Sequence, residues 1–375
     1  MTSVTNGEQE ADLREAVEKA SILLKPAALG ILCRKPLLDP DLPEVSDIDL
    51  LAIWDKPDEY VERLMVMGSS GRAFVDVLWI PAAAMLDPET AASYRMLPHL
   101  LMESDVVWVR SETVKTMIDR ITLSIRDKTV WERRLGNLIG FGDAAFLESS
   151  RNLDFPPASL FFLQMASSYY MIALADCHEQ SVMSLLNRPM VKLRNMAATC
   201  SCGLEELLIS NLHLDADPAS SLDALKKLHT AVNARCATRQ LRGVNARTRG
   251  HYTYSISPLE LEFRETVAAA LIRNGDHPNA NYYLRFWAYS LSRCPVVLEE
   301  ADNGRKPSFY VPFRPLKESL LTACPEIIDD LTLILGGNMT RAETEESIRG
   351  TADFRKLIVD QVEMRGFDLD ARKNV

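Results

Sequence analysis

The sequence predicts an α+β protein. An N-terminal mixed sheet with flanking helices, residues 1–112, is followed by a large all-helical bundle, residues 113–375. Three observations predict it. Short runs of apolar, mostly β-favouring residues recur early, at 47–54, 73–80 and 104–110, separated by turn-forming residues. After Ser111 the apolar stretches lengthen to helical size. The segment 159–175 is apolar nearly all round, as the buried centre of a bundle must be. With 375 residues the chain has room for about two domains.

In chain order, residues 11–24 place Leu13, Val17, Ala20, Ile22 and Leu23 at roughly helical period. A strand follows near 27–33. A loop holding Asp39-Pro40-Asp41-Leu42-Pro43 then leads to Ser46. The run 47–54 is a strand, broken by Asp55-Lys56-Pro57-Asp58, and Pro57 opens an expected helix over 58–67. Gly68-Ser69-Ser70-Gly71 turns the chain into the strand 73–80. Asp87-Pro88-Glu89 starts a short helix, and 104–110 closes the sheet. Helices are then expected over 111–125, 130–149, 159–175, 191–198, 203–212, 220–236, 258–273, 280–293, 315–324 and 326–335. No fixed-period repeat is visible, and residues 368–375 read as a frayed polar tail.

The net charge of −10 disfavours broad nucleic-acid binding, which needs a basic face. No stretch approaches eighteen consecutive apolar residues, so no membrane span and no membrane partner are expected. The seven cysteines contain no Cys-x-x-Cys pair, which argues against a zinc ribbon or a dithiol redox site. Cys200 and Cys202 are the closest pair and read as packed thiols. The first ten residues lack a signal peptide's basic and apolar regions, so the expected location is the cytoplasm. The six histidines show no metal-ligand spacing.

The chemistry gathers at Ser46-Asp47-Ile48-Asp49. A strand points residues i and i+2 to one side, so Asp47 and Asp49 share a face. Two carboxylates held close repel, and a hard divalent cation between them removes that cost. The strand 73–80 carries one carboxylate, Asp76, which is expensive to bury unless paired or metal-bound. If the two strands are neighbours, Asp76 joins the pair. Three carboxylates can hold two metal ions about 4 Å apart, the arrangement that serves in-line phosphoryl transfer.

Ser46-Asp47-Ile48-Asp49-Leu50 with a later strand bearing Asp76 resembles the DNA polymerase β-type nucleotidyltransferase superfamily, in its antibiotic-modifying and minimal branches. The match covers residues 20–110. The resemblance implies a nucleotidyltransferase-type sheet domain with Asp47 and Asp49 on two Mg²⁺ ions. Asp76 would hold the ion that activates the attacking hydroxyl and act as proton acceptor or relay. The family's Gly-Ser turn is altered here: Leu29-Gly30-Ile31-Leu32-Cys33 follows Gly30 with isoleucine, or puts Cys33 in the serine position. Ser46, Cys33, Arg34 and Lys35 are then candidates for holding the triphosphate. In the helical part, which the resemblance makes a closing wall, Lys192 with Arg188 and Arg194 is a phosphate candidate, and Tyr282, Tyr283 and Arg285 could stack on a base. Asp143 and Glu148 are further carboxylates of that part. The implied reaction moves a nucleoside monophosphate, AMP in the first instance, from ATP or another NTP to a hydroxyl of a small molecule and releases pyrophosphate. A tRNA or protein acceptor, or a degenerate nucleotide-binding regulator, is the alternative.

Overall fold

The computed structural model describes residues 6–35, 47–68, 71–94, 97–182, 188–197, 203–239 and 241–369. Ser46, the turn at 39–43, Cys200, Cys202 and the end of the polar tail lie outside them.

The chain is α+β, a five-stranded mixed sheet with flanking helices and then many helices. It opens with helix α1 (Asn6–Leu24), followed by β1 (Gly30–Arg34), β2 (Ile48–Trp54), β3 (Tyr60–Met67) and β4 (Arg72–Pro81). After a 3₁₀ turn come α2 (Pro88–Ser93), α3 (Leu97–Glu103), β5 (Ser104–Val109) and α4 (Glu112–Ser124). The helical part is α5 (Lys128–Arg151), α6 (Pro156–Cys177), α7 (Pro189–Ala197), α8 (Leu204–Leu212), α9 (Ala219–Cys236), α10 (Ala246–Ser255), α11 (Pro258–Arg273), α12 (His277–Asp302), α13 (Leu316–Ala323), α14 (Ile328–Leu335) and α15 (Arg341–Met364).

The strands lie in the order β3-β4-β2-β1-β5, with β2 and β4 parallel and the other neighbours antiparallel. Alternation sorts the two faces. Ile31 and Cys33, Ile48, Leu50, Ala52 and Trp54, and Val75, Val77 and Trp79 pack with Ala16, Val17, Ala20 and Leu24 of α1 into one apolar core. The opposite face therefore takes Arg34, Asp49 and Asp76, with Asp47 at the same phase just before β2.

The helix expected over 58–67 is the edge strand β3. Tyr60, Leu64 and Val66 recur at even spacing and pack on the core under α1, a two-residue period that a helix cannot satisfy. The ten-residue β4 pairs with it from Met67↔Arg72 out to Tyr60↔Trp79, so β3 satisfies its edge.

The chain divides into two compact units. One is Met1–Trp131 with Asn245–Thr266, and the other is Glu132–Val244 with Val267–Val375. The sheet unit thus runs past the expected boundary at 112 and takes back α10 and the start of α11. Helix α10 is not among the expected helices, because Ala-Arg-Thr-Arg-Gly-His-Tyr-Thr-Tyr-Ser has no apolar stripe. It is held instead by an Asn245 side-chain cap on the Thr248 N–H and by close approach to β3. A Cβ on Gly250 would come 2.8 Å from Tyr60 Cδ2 and 3.1 Å from the Val61 backbone nitrogen, so any larger residue there forces β3 to shift.

In the second unit α6 is buried along most of its length, as its all-round apolarity predicts. It packs on α12, where Phe161 stacks on Tyr289 with centroids 3.8 Å apart, and on α15. Helix α15, which lies outside the expected helices, starts with a capping box at Thr340 and Glu343 and buries Phe354, Ile358 and Val362. Among the described residues α6 alone is long and apolar enough to cross a membrane, and 83% of its apolar window is buried inside the molecule.

Candidate metal centre

The parallel register of β2 with β4 sets Asp49 opposite Asp76. With Asp47 two residues upstream, ligand oxygens of all three carboxylates lie within 4.8 Å of one another. Each side chain keeps about a fifth of its surface exposed, at 21% for Asp47, 22% for Asp49 and 20% for Asp76. The face expected from alternation therefore exists, and the three acids predicted to meet do meet.

Two arginines share it. Arg34, opposite Asp49 at the end of β1, donates from Nη1 to Asp49 Oδ2 at 3.1 Å and from Nε to Glu103 Oε2 at 3.4 Å. Arg63 is the cross-strand neighbour of Asp76 on β3, and its side chain is 1% exposed. Its Nε donates to Asp76 Oδ1 at 2.5 Å and its Nη2 to Asp76 Oδ2 at 2.6 Å, a bidentate pair. The same Nη2 reaches Asp47 Oδ2 at 3.1 Å. Behind Arg63 sits Glu260 of α11, itself 2% exposed, with its carboxylate 3.1 Å from Nη1. The guanidinium carbon lies 3.9 Å from the centroid of the Phe263 ring.

Helices α10 and α11 complete a second layer. Tyr254 donates its hydroxyl to Asp76 Oδ2 at 3.0 Å and accepts from Arg264 Nη2 at 2.7 Å. Arg264 also pairs with Glu260 one helical turn away. All of these residues belong to the sheet unit.

The three acids titrate apart. Burial, then the charges of Asp49 and Asp76, push Asp47 up to about 7. Burial also raises Asp49, with Arg34 opposing it. Burial works against the ionised Asp76 as well. There the charge and paired bonds of Arg63, with Arg264 and Tyr254, prevail and hold it below the usual carboxylate range. Burial drives the Tyr254 hydroxyl well above the ordinary phenol range, so it stays a donor.

This donor set fits a hard divalent cation at Asp47 and Asp49, where negative charge is crowded and one arginine touches one oxygen of each. Asp76 fits less well. Of the four or so acceptor positions on a carboxylate, three already receive N–H or O–H donors.

The other expected binding residues scatter. Cys33 is 5% exposed in the core under α1, on the face away from the acids, and burial raises its thiol to about 12. Lys35 is largely exposed and pairs with Asp105. Lys192 lies on α7 of the second unit, Arg188 is buried there, and Arg194 pairs with Glu205 at 2.5 Å. Tyr282 and Tyr283 are core residues rather than a base-stacking surface. Arg285 is 2% exposed and donates to the carbonyls of Leu212 and His213 at the end of α8, an internal cap. Asp143 pairs with Arg355 and accepts from Tyr170, and Glu148 pairs with Arg151.

Arg63, Glu103, Tyr254, Glu260 and Arg264 are not among the residues expected from the sequence. A signal for Arg63 was present. Once 60–67 is read as a strand, the turn at 68–71 makes a hairpin, and counting outward from Met67↔Arg72 brings Arg63 opposite Asp76.

No family model and no curated protein matches the sequence. Among solved structures, the chain is similar to a nucleotidyltransferase-like protein from Exiguobacterium sibiricum 255-15. The match has 13% sequence identity and a TM-score of 0.28, and it covers 71% of this chain and 91% of that one. At that score the functional reading rests on the chain's own residues.

Proposed function

We propose that the chain is a nucleotidyltransferase that moves a nucleoside monophosphate, AMP in the first instance, from an NTP to a hydroxyl of a small molecule with release of pyrophosphate. One observation carries the proposal. Asp47, Asp49 and Asp76 converge from two parallel strands onto one partly exposed spot of the sheet face opposite α1. Such acids, at Asp-x-Asp spacing plus one neighbour, suit the handling of a metal-bound triphosphate.

Asp47 and Asp49 would hold Mg²⁺, which when bound neutralises charge on the triphosphate and makes the acceptor hydroxyl more acidic. Arg34 holds one oxygen of Asp49 and so fixes its orientation, and its partly exposed guanidinium has donors suited to phosphate oxygens. Asp76 is a poor proton acceptor while Arg63 and Tyr254 stabilise its ionised form, so its part is to anchor Arg63 beside Asp47. The net charge of −10 favours a small acceptor over a polyanionic one.

A second reading is a nucleotide-binding regulator without turnover. It draws on Cys33, whose burial under α1 leaves no hydroxyl where the altered turn would need one.

The test uses ATP labelled at the α- or the γ-phosphate, with a panel of hydroxylated small molecules, bulk tRNA and the protein itself. Transfer of the α-label to a small molecule, lost in Asp49→Asn, supports the proposal. Label on tRNA or protein replaces the acceptor class. Transfer of γ-label alone, or the absence of any Mn²⁺ binding dependent on Asp47 and Asp49, overturns it. Tight Mg·ATP binding without turnover on any acceptor favours the regulator.

A further inference from the structure

Arg63 is the feature that a two-ion site does not account for. Its side chain is 1% exposed, and it stands among the carboxylates rather than beside them. It takes both oxygens of Asp76, at 2.5 and 2.6 Å, and reaches Asp47 at 3.1 Å. Tyr254 takes a further position on Asp76. A carboxylate offers about four acceptor positions, so little of Asp76 is left to coordinate an ion.

Arg63 is also fixed from behind. Glu260, buried at 2% exposure, lies 3.1 Å from its third nitrogen, and Phe263 covers its face at 3.9 Å. Moving the guanidinium aside would leave Glu260, Asp47 and Asp76 short of a cation in a poorly solvated place. The fixed charges also limit what the site attracts. When ionised, Asp47, Asp49, Asp76 and Glu103 against Arg34 and Arg63 leave two net negative charges, which one divalent ion neutralises. Glu260 and Arg264 cancel.

We propose that this is a one-ion centre, in which the Arg63 guanidinium occupies the place and supplies the charge of the second metal. Asp47 and Asp49 carry the single ion. Asp76 is a positioning residue that acts through Arg63, and Tyr254, Arg264 and Glu260 keep the arginine in place. The inference rests on the transferase reading of the same site and deepens it. A planar, permanently charged group bound to the fold holds Asp76 and Asp47 ionised as a metal would, but it cannot be chelated away.

Manganese reports this directly, because two Mn²⁺ ions about 4 Å apart give a spin-coupled spectrum and a lone ion gives an uncoupled six-line one. The full chain is titrated with Mn²⁺ with and without a non-hydrolysable ATP analogue, and read by electron paramagnetic resonance and by anomalous scattering from crystals. Wild type is expected to hold one uncoupled ion per chain in both states, lost in Asp49→Asn. Arg63→Gln combined with Glu260→Gln removes the Arg63–Glu260 contact from both sides, with Arg264 still held by the Tyr254 hydroxyl, and is expected to admit a second ion and a coupled spectrum. Arg63→Lys keeps a cation and is expected to stay at one. A coupled pair in wild type overturns the inference and leaves the transferase reading standing. No bound ion in either state overturns both. If the double variant does not fold, the wild-type count decides alone.

Discussion

Both units bury arginines, and they bury them differently. In the helical unit Arg134 forms a two-pronged pair with Asp176, at 2.7 and 2.9 Å, and both side chains are under 5% exposed. Arg285 caps the carbonyls that end α8, and Arg293, fully buried, donates to the carbonyls of Ser308 and Phe309. Each guanidinium there meets partners supplied by its own unit, and the charge is enclosed. In the sheet unit Arg63 is equally buried, but beside it Asp47, Asp49 and Asp76 keep about a fifth of their surface in water. Buried charge alone thus marks architecture. Buried charge left unbalanced at an opening marks a place where something binds.

That contrast gives its largest test in the helical unit. Asp176→Ala removes the carboxylate that takes two bonds from buried Arg134, and the expected loss is about 3–5 kcal/mol in urea unfolding, with Mn²⁺ binding by the folded fraction unchanged. Asp49→Asn should do the reverse. Stability stays within about 1 kcal/mol of wild type, because Arg34 keeps Glu103 and like-charge crowding falls. α-Label transfer drops by about 10²–10³-fold, the scale of losing a charge-stabilising group. A stability loss at Asp49 matching that at Asp176 would erase the distinction between the two regions.

The same contrast explains what was legible in the sequence. Asp47, Asp49 and Asp76 could be read because their meeting depends on two local facts, the alternation of a strand and the pairing of two apolar runs. The α+β division could be read because apolar run length separates strands from buried helices. Arg63 is hidden by Pro57, which reads as a helix start and masks the two-residue period of β3 that sets Arg63 opposite Asp76. Tyr254, Glu260 and Arg264 lie far along the chain, and their return to the sheet is decided by long-range packing of α10 on β3, which leaves no periodic trace. In the helical part, Tyr282, Tyr283 and Arg285 resembled a binding face because aromatic and cationic types serve cores and caps equally well.

A pH experiment sharpens the comparison further. Asp47 is pushed up to about 7 by burial and by its acidic neighbours, so below that pH the metal-free protein carries a proton there that a cation must displace. Apparent Mg²⁺ affinity should rise about tenfold per unit as pH climbs towards 7 and then level off. The stability term has a matching sign. A carboxyl raised in the folded state contributes fully below its unfolded value and loses that contribution as pH rises through about 7. Asp76 is shifted the other way, so its contribution is present above the unfolded carboxylate value and is lost as pH falls through its lowered folded value. Thermal scans with and without Mg²⁺ should therefore diverge most above pH 7. Parallel curves from pH 5.5 to 8 would show that the acids do not bind the ion.

The smaller effects test how the late segment supports the site. Gly250→Ala forces a Cβ against Tyr60 and the Val61 backbone, and the expected cost is about 1–3 kcal/mol in urea unfolding. Because α10 carries Tyr254, the same substitution should also shift Mn²⁺ binding. Tyr254→Phe is gentler and isolates one hydroxyl. It removes the donor to Asp76 and the acceptor for Arg264 while keeping the ring, and Arg264 retains Glu260. About 1 kcal/mol of stability should be lost. Asp76 keeps Arg63 on both oxygens, so the Mn²⁺ count should stay at its wild-type value. If removing one hydroxyl instead raised that count, Tyr254 rather than Arg63 would be what keeps Asp76 from coordinating an ion, and the guanidinium's role in the site would have to be reassigned.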